Sequence, residues 1–320
     1  FLKPLQMTDY SEILGYITDV LFVLSILGAL FTIISFTLFS KIRTYPIKLI
    51  IYLCVTIFFG QLVFLGGFSY GLGSKMCAAI AATIHFFFLA NFFWCFCIAF
   101  NFYQMIVKRN SRTREFEKWY HMTGWGIPLL FIIGVGLSRS YGQTLQGTEE
   151  DPHRGACYIR SGLAVFLSFF LPGLITISAN AVLFFFVASE IHGTLSKAPE
   201  TEQREKTKEF RVLVSIFVTV GLTWVFGFLA AVLAFLPNTT IPADIFEFLF
   251  AVTTPLQGFF IFAAYCINRK VRNQWIKFFG KCFPCCKVEE KSTTSSATFS
   301  TRGNTTSEGG QTSNYNSERV

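Results

Sequence analysis

Nine cysteines are the residues of this chain best equipped for chemistry, and their positions divide them by what that chemistry is. Cys54, Cys95, Cys97 and Cys266 lie deep inside apolar runs, where a thiol serves as a small packing group. Cys77 and Cys157 stand at run ends beside polar loops, and they pair as a disulfide if that side faces an oxidising compartment; free thiols are the alternative. Cys282, Cys285 and Cys286 follow the last apolar run by a short basic and aromatic stretch, the setting of a palmitoylated juxtamembrane cluster. A metal site competes with that reading, but Cys-Phe-Pro-Cys-Cys with no histidine nearby is a poor ligand set. The sequence has no His-Glu-x-x-His and no pair of aspartates within an apolar run. No enzyme, cofactor or bound metal is expected.

The elements that position these residues are apolar helices. Hydrophobic residues make up 52% of the chain and charged ones only 14%, a balance no ordinary soluble domain shows. Seven apolar runs reach the roughly 20 residues that cross a bilayer: 14–39, 47–70, 77–107, 120–141, 159–189, 210–236 and 243–267. The alternating pattern of a membrane barrel is absent from them. The fold class is therefore an all-α integral membrane protein, a bundle of seven transmembrane helices.

The net charge of +8 is placed, not spread. Lys41, Arg43 and Lys48 flank the first connection, Lys108, Arg109, Arg112, Arg114 and Lys118 fill the third, and Lys197, Arg204, Lys206, Lys208 and Arg211 the fifth. The tail beyond the seventh run is equally basic. Opposite them, Lys75, Arg139, Arg154 and Arg160 are partly offset by Glu149, Glu150 and Asp151. Such asymmetry predicts the amino terminus outside the plasma membrane and the tail in the cytosol, and it leaves nothing for nucleic acid to bind. Cys77 and Cys157 then share the outer, oxidising side.

Four segments follow from this layout. Residues 1–13 read as an extracellular linker and 14–267 as the bundle. Over 268–279, Val271, Trp275, Phe278 and Phe279 fall near one face while Arg269, Arg272 and Lys277 reach headgroups, so this stretch reads as a helix on the membrane surface. Residues 280–320, rich in Ser, Thr, Gly and Asn, read as a disordered cytosolic tail that can accept phosphate. Its end, with Glu318 two before Val320, has the form of a PDZ ligand. Asn238-Thr239-Thr240 is a glycosylation sequon in an outer loop. Phe1 is no initiating methionine and no signal peptide precedes the first run, so the chain reads as a fragment or processed product with an outer domain missing.

Inside the runs, polar residues are few. Asn91, Asn101, Asn180 and Gln257 are expected to bond between helices, with Gln257 nearest a ligand pocket. The sixth run holds Gly221-Leu222-Thr223-Trp224-Val225-Phe226-Gly227-Phe228, a rigid indole set among small residues. A helix that only anchors needs none of this.

That run resembles the sixth-helix signature of adhesion-type (secretin-like) G-protein-coupled receptors. Three further segments are similar to the same family. They are His85-Phe86-Phe87-Phe88-Leu89-Ala90-Asn91-Phe92-Phe93-Trp94, Gly124-Trp125-Gly126-Ile127-Pro128, and Leu256-Gln257-Gly258-Phe259-Phe260. The resemblance implies a receptor that passes an extracellular or tethered-peptide signal to a heterotrimeric G protein. It implies a switch and pocket among Trp224, Gly221, Gly227, Phe226, Gln257, Gly258, Trp94 and Asn91, and a G-protein face at Lys108, Arg109 and Arg211. Pro172 and Pro255 are expected to bend the fifth and seventh helices.

Two departures stand out. The family's polar pair, His in helix two and Glu in helix three, aligns here with Ile50 and Ile98. Losing both together is coherent, since either alone is a stranded polar group. Phe1, Leu5 and Met7 are only a faint likeness of a tethered agonist, with the wrong spacing. Parts of the second and third runs also look like cyclic-AMP receptors of slime moulds. Rivals from other classes are a transporter or channel, for which buried charges and half-repeats are lacking, and an adhesive scaffold that never signals.

Overall fold

The computed structural model describes residues 5–67, 74–143, 157–195, 223–234 and 240–282. Three long helices come first: α1 (Leu5–Leu38), α2 (Tyr45–Gly67) and α3 (Ser74–Ile106). α1 starts inside the segment expected to be a linker, because neither Pro nor Gly interrupts the chain between Leu5 and Gly15. The fourth span, α4 (Thr113–Leu137), and the fifth, α5 (162–195), are rods with a π turn inside each, at Met122–Gly126 and Phe166–Phe170.

Both π turns lie just ahead of a proline. In each, the bond reaches five residues back: Ile127 N–H donates to the Met122 carbonyl and Leu171 N–H to that of Phe166. Pro128 and Pro172 have no N–H to offer, and shifted bonding lets the rods continue through them. Pro255 acts differently. It separates α7 (Thr240–Thr253) from α8 (Gln257–Cys266), which meet at 44°. Gln61 on α2 donates its Nε2–H to the Pro255 carbonyl (3.2 Å), and Thr253 Oγ1 turns back to the Leu249 carbonyl. The described part of the sixth span is α6 (Thr223–Ala234).

α3 is the axis of the molecule. Leu89 through Cys95 are all buried, as expected of a helix surrounded by others, and α3 packs against α2, α5 and α4. α1 and α8 meet at backbone distance. A Cβ built on Gly258 falls 2.4 Å from the Ser25 carbonyl oxygen, and one on Gly28 falls 3.0 Å from the Gly258 carbonyl oxygen. The Gly258 N–H donates to Ser25 Oγ (2.8 Å). Paired glycines are what permits this contact.

Between α4 and α5 lies a two-stranded antiparallel sheet, β1 (Tyr141–Gln143) and β2 (Cys157–Ile159), with Tyr141 opposite Ile159. Cys157 on β2 is disulfide-bonded to Cys77 in the first turn of α3. The strands are three residues each, too short for alternation to mark them in the sequence, and β2 replaces the expected start of the fifth helix.

α9 (Arg269–Cys282) begins at a side-chain cap, the Asn268 Oδ1 accepting from Lys270 N–H (2.8 Å). Val271 is buried, and Trp275 lies between Phe31 (5.3 Å) and Phe39 (5.2 Å) of the first helix region while donating Nε1–H to Ser35 Oγ (3.0 Å).

Candidate functional site

Gln257 is the first residue of α8, delivered to the interior by the break at Pro255. Its Oε1 accepts from Asn91 Nδ2–H (3.1 Å) and its Nε2–H donates to Thr223 Oγ1 (3.1 Å). Asn91 Oδ1 in turn lies 3.9 Å from the Cys95 thiol. One amide thus joins α3, α6 and α8 in a medium where an unmade bond is expensive. The other two expected bridges differ. Asn101 Nδ2 turns along its own helix to Met105 Sδ (3.4 Å), and the Asn180 side-chain oxygen has no hydrogen-bond partner among the described residues.

Beside Thr223, Trp224 is buried in a ring cluster: Phe92 (4.7 Å), Phe250 (5.2 Å), Phe169 (5.6 Å) and Phe88 (6.0 Å). Gly227 lies three residues on, under the ring of Phe250, whose edge is 2.8 Å from where a Cβ would stand. Phe226 points another way, to Phe246 at 6.2 Å. α6 and α7 therefore interlock through Gly227 and Phe250, and Trp224 touches α3, α5 and α7 at once.

Trp94 belongs to a different neighbourhood. Its rings face Tyr52 (4.7 Å), Trp125 (5.4 Å) and His121 (5.5 Å), and Gly124 admits it: a Cβ there would be 2.4 Å from Trp94 Cε2. That set holds α2, α3 and α4 together. Gly258, grouped with the pocket by resemblance, serves the α1–α8 contact.

At the basic end, Ile50 and Ile98 are fully buried in the same core cluster. Lys48 pairs with Glu117, and His121 Nε2 stands 4.0 Å from the same carboxylate. Arg109, at φ 50 where α3 ends, reaches Glu190 of α5 at 3.4 Å; Lys108 lies 5.8 Å over the Tyr103 ring. Gly221, Arg211, Asn238, Cys285, Cys286 and Val320 fall outside the described residues, and of Cys282 only the helical backbone is described.

Among the described residues the buried polar groups are hydroxyls, amides and His85, with no buried Asp, Glu, Lys or Arg, and no three ligating side chains converge. That chemistry is hydrogen bonding between helices. The string Gly67-Phe68-Ser69-Tyr70-Gly71 has the spacing of a hydrolase nucleophile elbow, which needs a strand before it; here the helix α2 precedes, and 68–71 lie outside the described residues. Sequence reasoning missed Thr223, Ser25, Gln61 and His85 as inter-helix bonding groups.

Apolar spans around a buried polar tie, joined by a disulfide-bound hairpin, define a polytopic helical membrane protein. Residues 11–261 match the family described as 7 transmembrane receptor (Secretin family), and the chain belongs to it. It is accordingly a G-protein-coupled receptor of the adhesion/secretin-like type, a seven-helix bundle of the plasma membrane. Latrophilin receptor-like protein A of Dictyostelium discoideum is 43% identical over 261 residues, covering 82% of this chain and 81% of that protein. Adhesion G-protein coupled receptor G2 of Mus musculus is 29% identical over 80% of this chain but only 25% of its own length. For Adhesion G protein-coupled receptor L4 of Rattus norvegicus the figures are 29%, 88% and 36%. The chain thus spans no more than about a third of these two mammalian relatives.

Proposed function

We propose that this receptor takes an extracellular ligand, or its own amino-terminal segment, in the half of the bundle next to the disulfide, and converts it to G-protein activation through Trp224 and Gln257. The observation that carries this reading is the pair of adjacent α6 residues, Thr223 and Trp224, one bonded to Gln257 and the other packed on α3, α5 and α7. A ligand that favours another packing of this cluster shifts the receptor by its differential affinity for the two states.

Orientation follows the charge. The disulfide end is the outer end, and the basic end, with Lys108, Arg109 and Arg211, faces the G protein in the cytosol. α9 lies on the inner leaflet, where Arg269, Arg272 and Lys277 meet anionic headgroups and the Cys282, Cys285 and Cys286 cluster accepts palmitate. Val320 is offered to a PDZ protein, and Asn238 to glycosylation.

The test is guanine-nucleotide exchange on purified heterotrimeric G proteins by membranes carrying the chain, beside membranes carrying Trp224→Ala. Exchange well above empty membranes, changed several-fold by the substitution at equal surface amount, is expected. Exchange that ignores Trp224 sinks the switch.

A further inference from the structure

His85 is a fully buried side chain of α3 with both ring nitrogens engaged, and the switch described above does not use it. Its Nε2 lies 3.1 Å from the Ser168 carbonyl oxygen, its Nδ1 2.8 Å from the Tyr141 hydroxyl. A carbonyl can only accept, so Nε2 carries the hydrogen; in the neutral ring Nδ1 then accepts from the Tyr141 O–H. Burial pushes the Tyr141 phenol up, which keeps that donor protonated.

Both partners are informative. Ser168 stands four residues before Pro172, so its carbonyl is the one that the proline leaves without a regular helical donor. The imidazole supplies it, as a membrane interior requires. Tyr141 belongs to β1, whose partner strand β2 carries Cys157 and, through it, the bond to Cys77 on the same helix as His85. The next residue of the π turn, Phe169, packs on His85 (5.9 Å), on Tyr158 of β2 (6.5 Å) and on Trp224 (5.6 Å).

We propose that His85 is a positioning residue that registers the outer hairpin against the π turn ahead of Pro172 in α5, so that a displacement of the hairpin becomes a displacement of Ser168 and Phe169. A simple strut would need one bond. Here a single rigid ring takes a hydroxyl from the loop on one nitrogen and gives a hydrogen to the loosened carbonyl on the other. The two ends cannot move independently without breaking a buried bond. The step from Phe169 onward rests on the reading of Trp224 as the switch; the link from hairpin to α5 does not.

Amide hydrogen exchange of the full chain in lipid nanodiscs, read on peptides covering 166–171, tests the link without any G protein. Tyr141→Phe removes one hydroxyl and His85→Leu removes both bonds; each should raise exchange there several-fold. His85→Gln, which restores one donor and one acceptor, should return it to within about twofold of the original. The double variant Tyr141→Phe/His85→Leu should add nothing to His85→Leu alone, since both cut one connection. Unchanged exchange in Tyr141→Phe, the mildest variant and one that keeps the ring, overturns the proposal, as does failure of Gln to rescue where Leu has loosened the segment. Basal nucleotide exchange measured on the same samples separates the two readings. If 166–171 loosens while signalling stays fixed, the His85 link stands and the assignment of Trp224 as the switch fails.

Discussion

Gln257 is held by two bonds from two other helices, and its value is set by what its removal strands. Gln257→Leu leaves the Asn91 amide without its acceptor inside the bundle. An orphaned buried amide costs about 1–3 kcal/mol, and the thermal midpoint in detergent should fall by several degrees. Glycines grade more sharply. Gly258→Ala sets a methyl 2.4 Å from the Ser25 carbonyl oxygen, a backbone atom that cannot swing aside, whereas Gly134→Ala meets nothing within 4 Å. The first should cost about 1–3 kcal/mol or block surface expression. The second should be neutral or stabilising by up to about 1 kcal/mol, the helix propensity of alanine over glycine. A melting series of the two variants in one detergent checks both. If Gly258→Ala melts like the parent, the backbone contact between α1 and α8 does not hold the bundle.

At the scale of elements, Ile50 of α2 and Ile98 of α3 are both buried in the main core cluster, at the positions where the resemblance implies His and Glu. Apolar packing occupies both positions. Ile98→Glu alone should buries an unpaired acid and cost several kcal/mol, so this receptor should reach the membrane poorly. Ile50→His with Ile98→Glu restores a partner and should recover surface expression in part while lowering basal nucleotide exchange; basal exchange that stays level in the recovered protein refutes a locking role. How much of this was legible follows from the forces involved. Helices α1 to α5 were readable because burial in lipid demands long apolar runs, and Asn91 and Gln257 because amides in such runs must find partners. The hairpin was hidden by its brevity, three residues to a strand. His85 was hidden for another reason: its acceptor is a backbone carbonyl 83 residues away, unmarked by any side chain. The usable signal was Pro172, since a proline within a membrane helix frees the carbonyl four residues earlier and asks for a donor. Thr223 was overlooked because threonine in a helix ordinarily satisfies itself on the preceding turn, as Thr32, Thr176 and Thr253 do here.

Across the whole molecule, two kinds of junction can be told apart. α1 and α8 touch backbone to backbone, Ser25 bonds Gly258, Cys266 lies 3.5 Å from Thr32, and Trp275 bonds Ser35. The described part of the sixth span, α6, meets its neighbours through ring contacts and the amide bond from Gln257 to Thr223. Rings slide and re-stack at small cost, while a backbone contact filled by glycines has no second arrangement nearby. Activation should accordingly move α6 and α7 against a fixed α1–α8 pair. Pulsed electron resonance with spin labels at Tyr16 and Ile267, both exposed, should give a distance distribution that agonist leaves unshifted, while a label at Leu229 moves relative to either. A shift between the first two labels would refute the division. For anyone building a sensor from this receptor, the glycine contact therefore supplies a benchmark: an instrument's zero, carried inside the molecule, against which every other displacement can be calibrated.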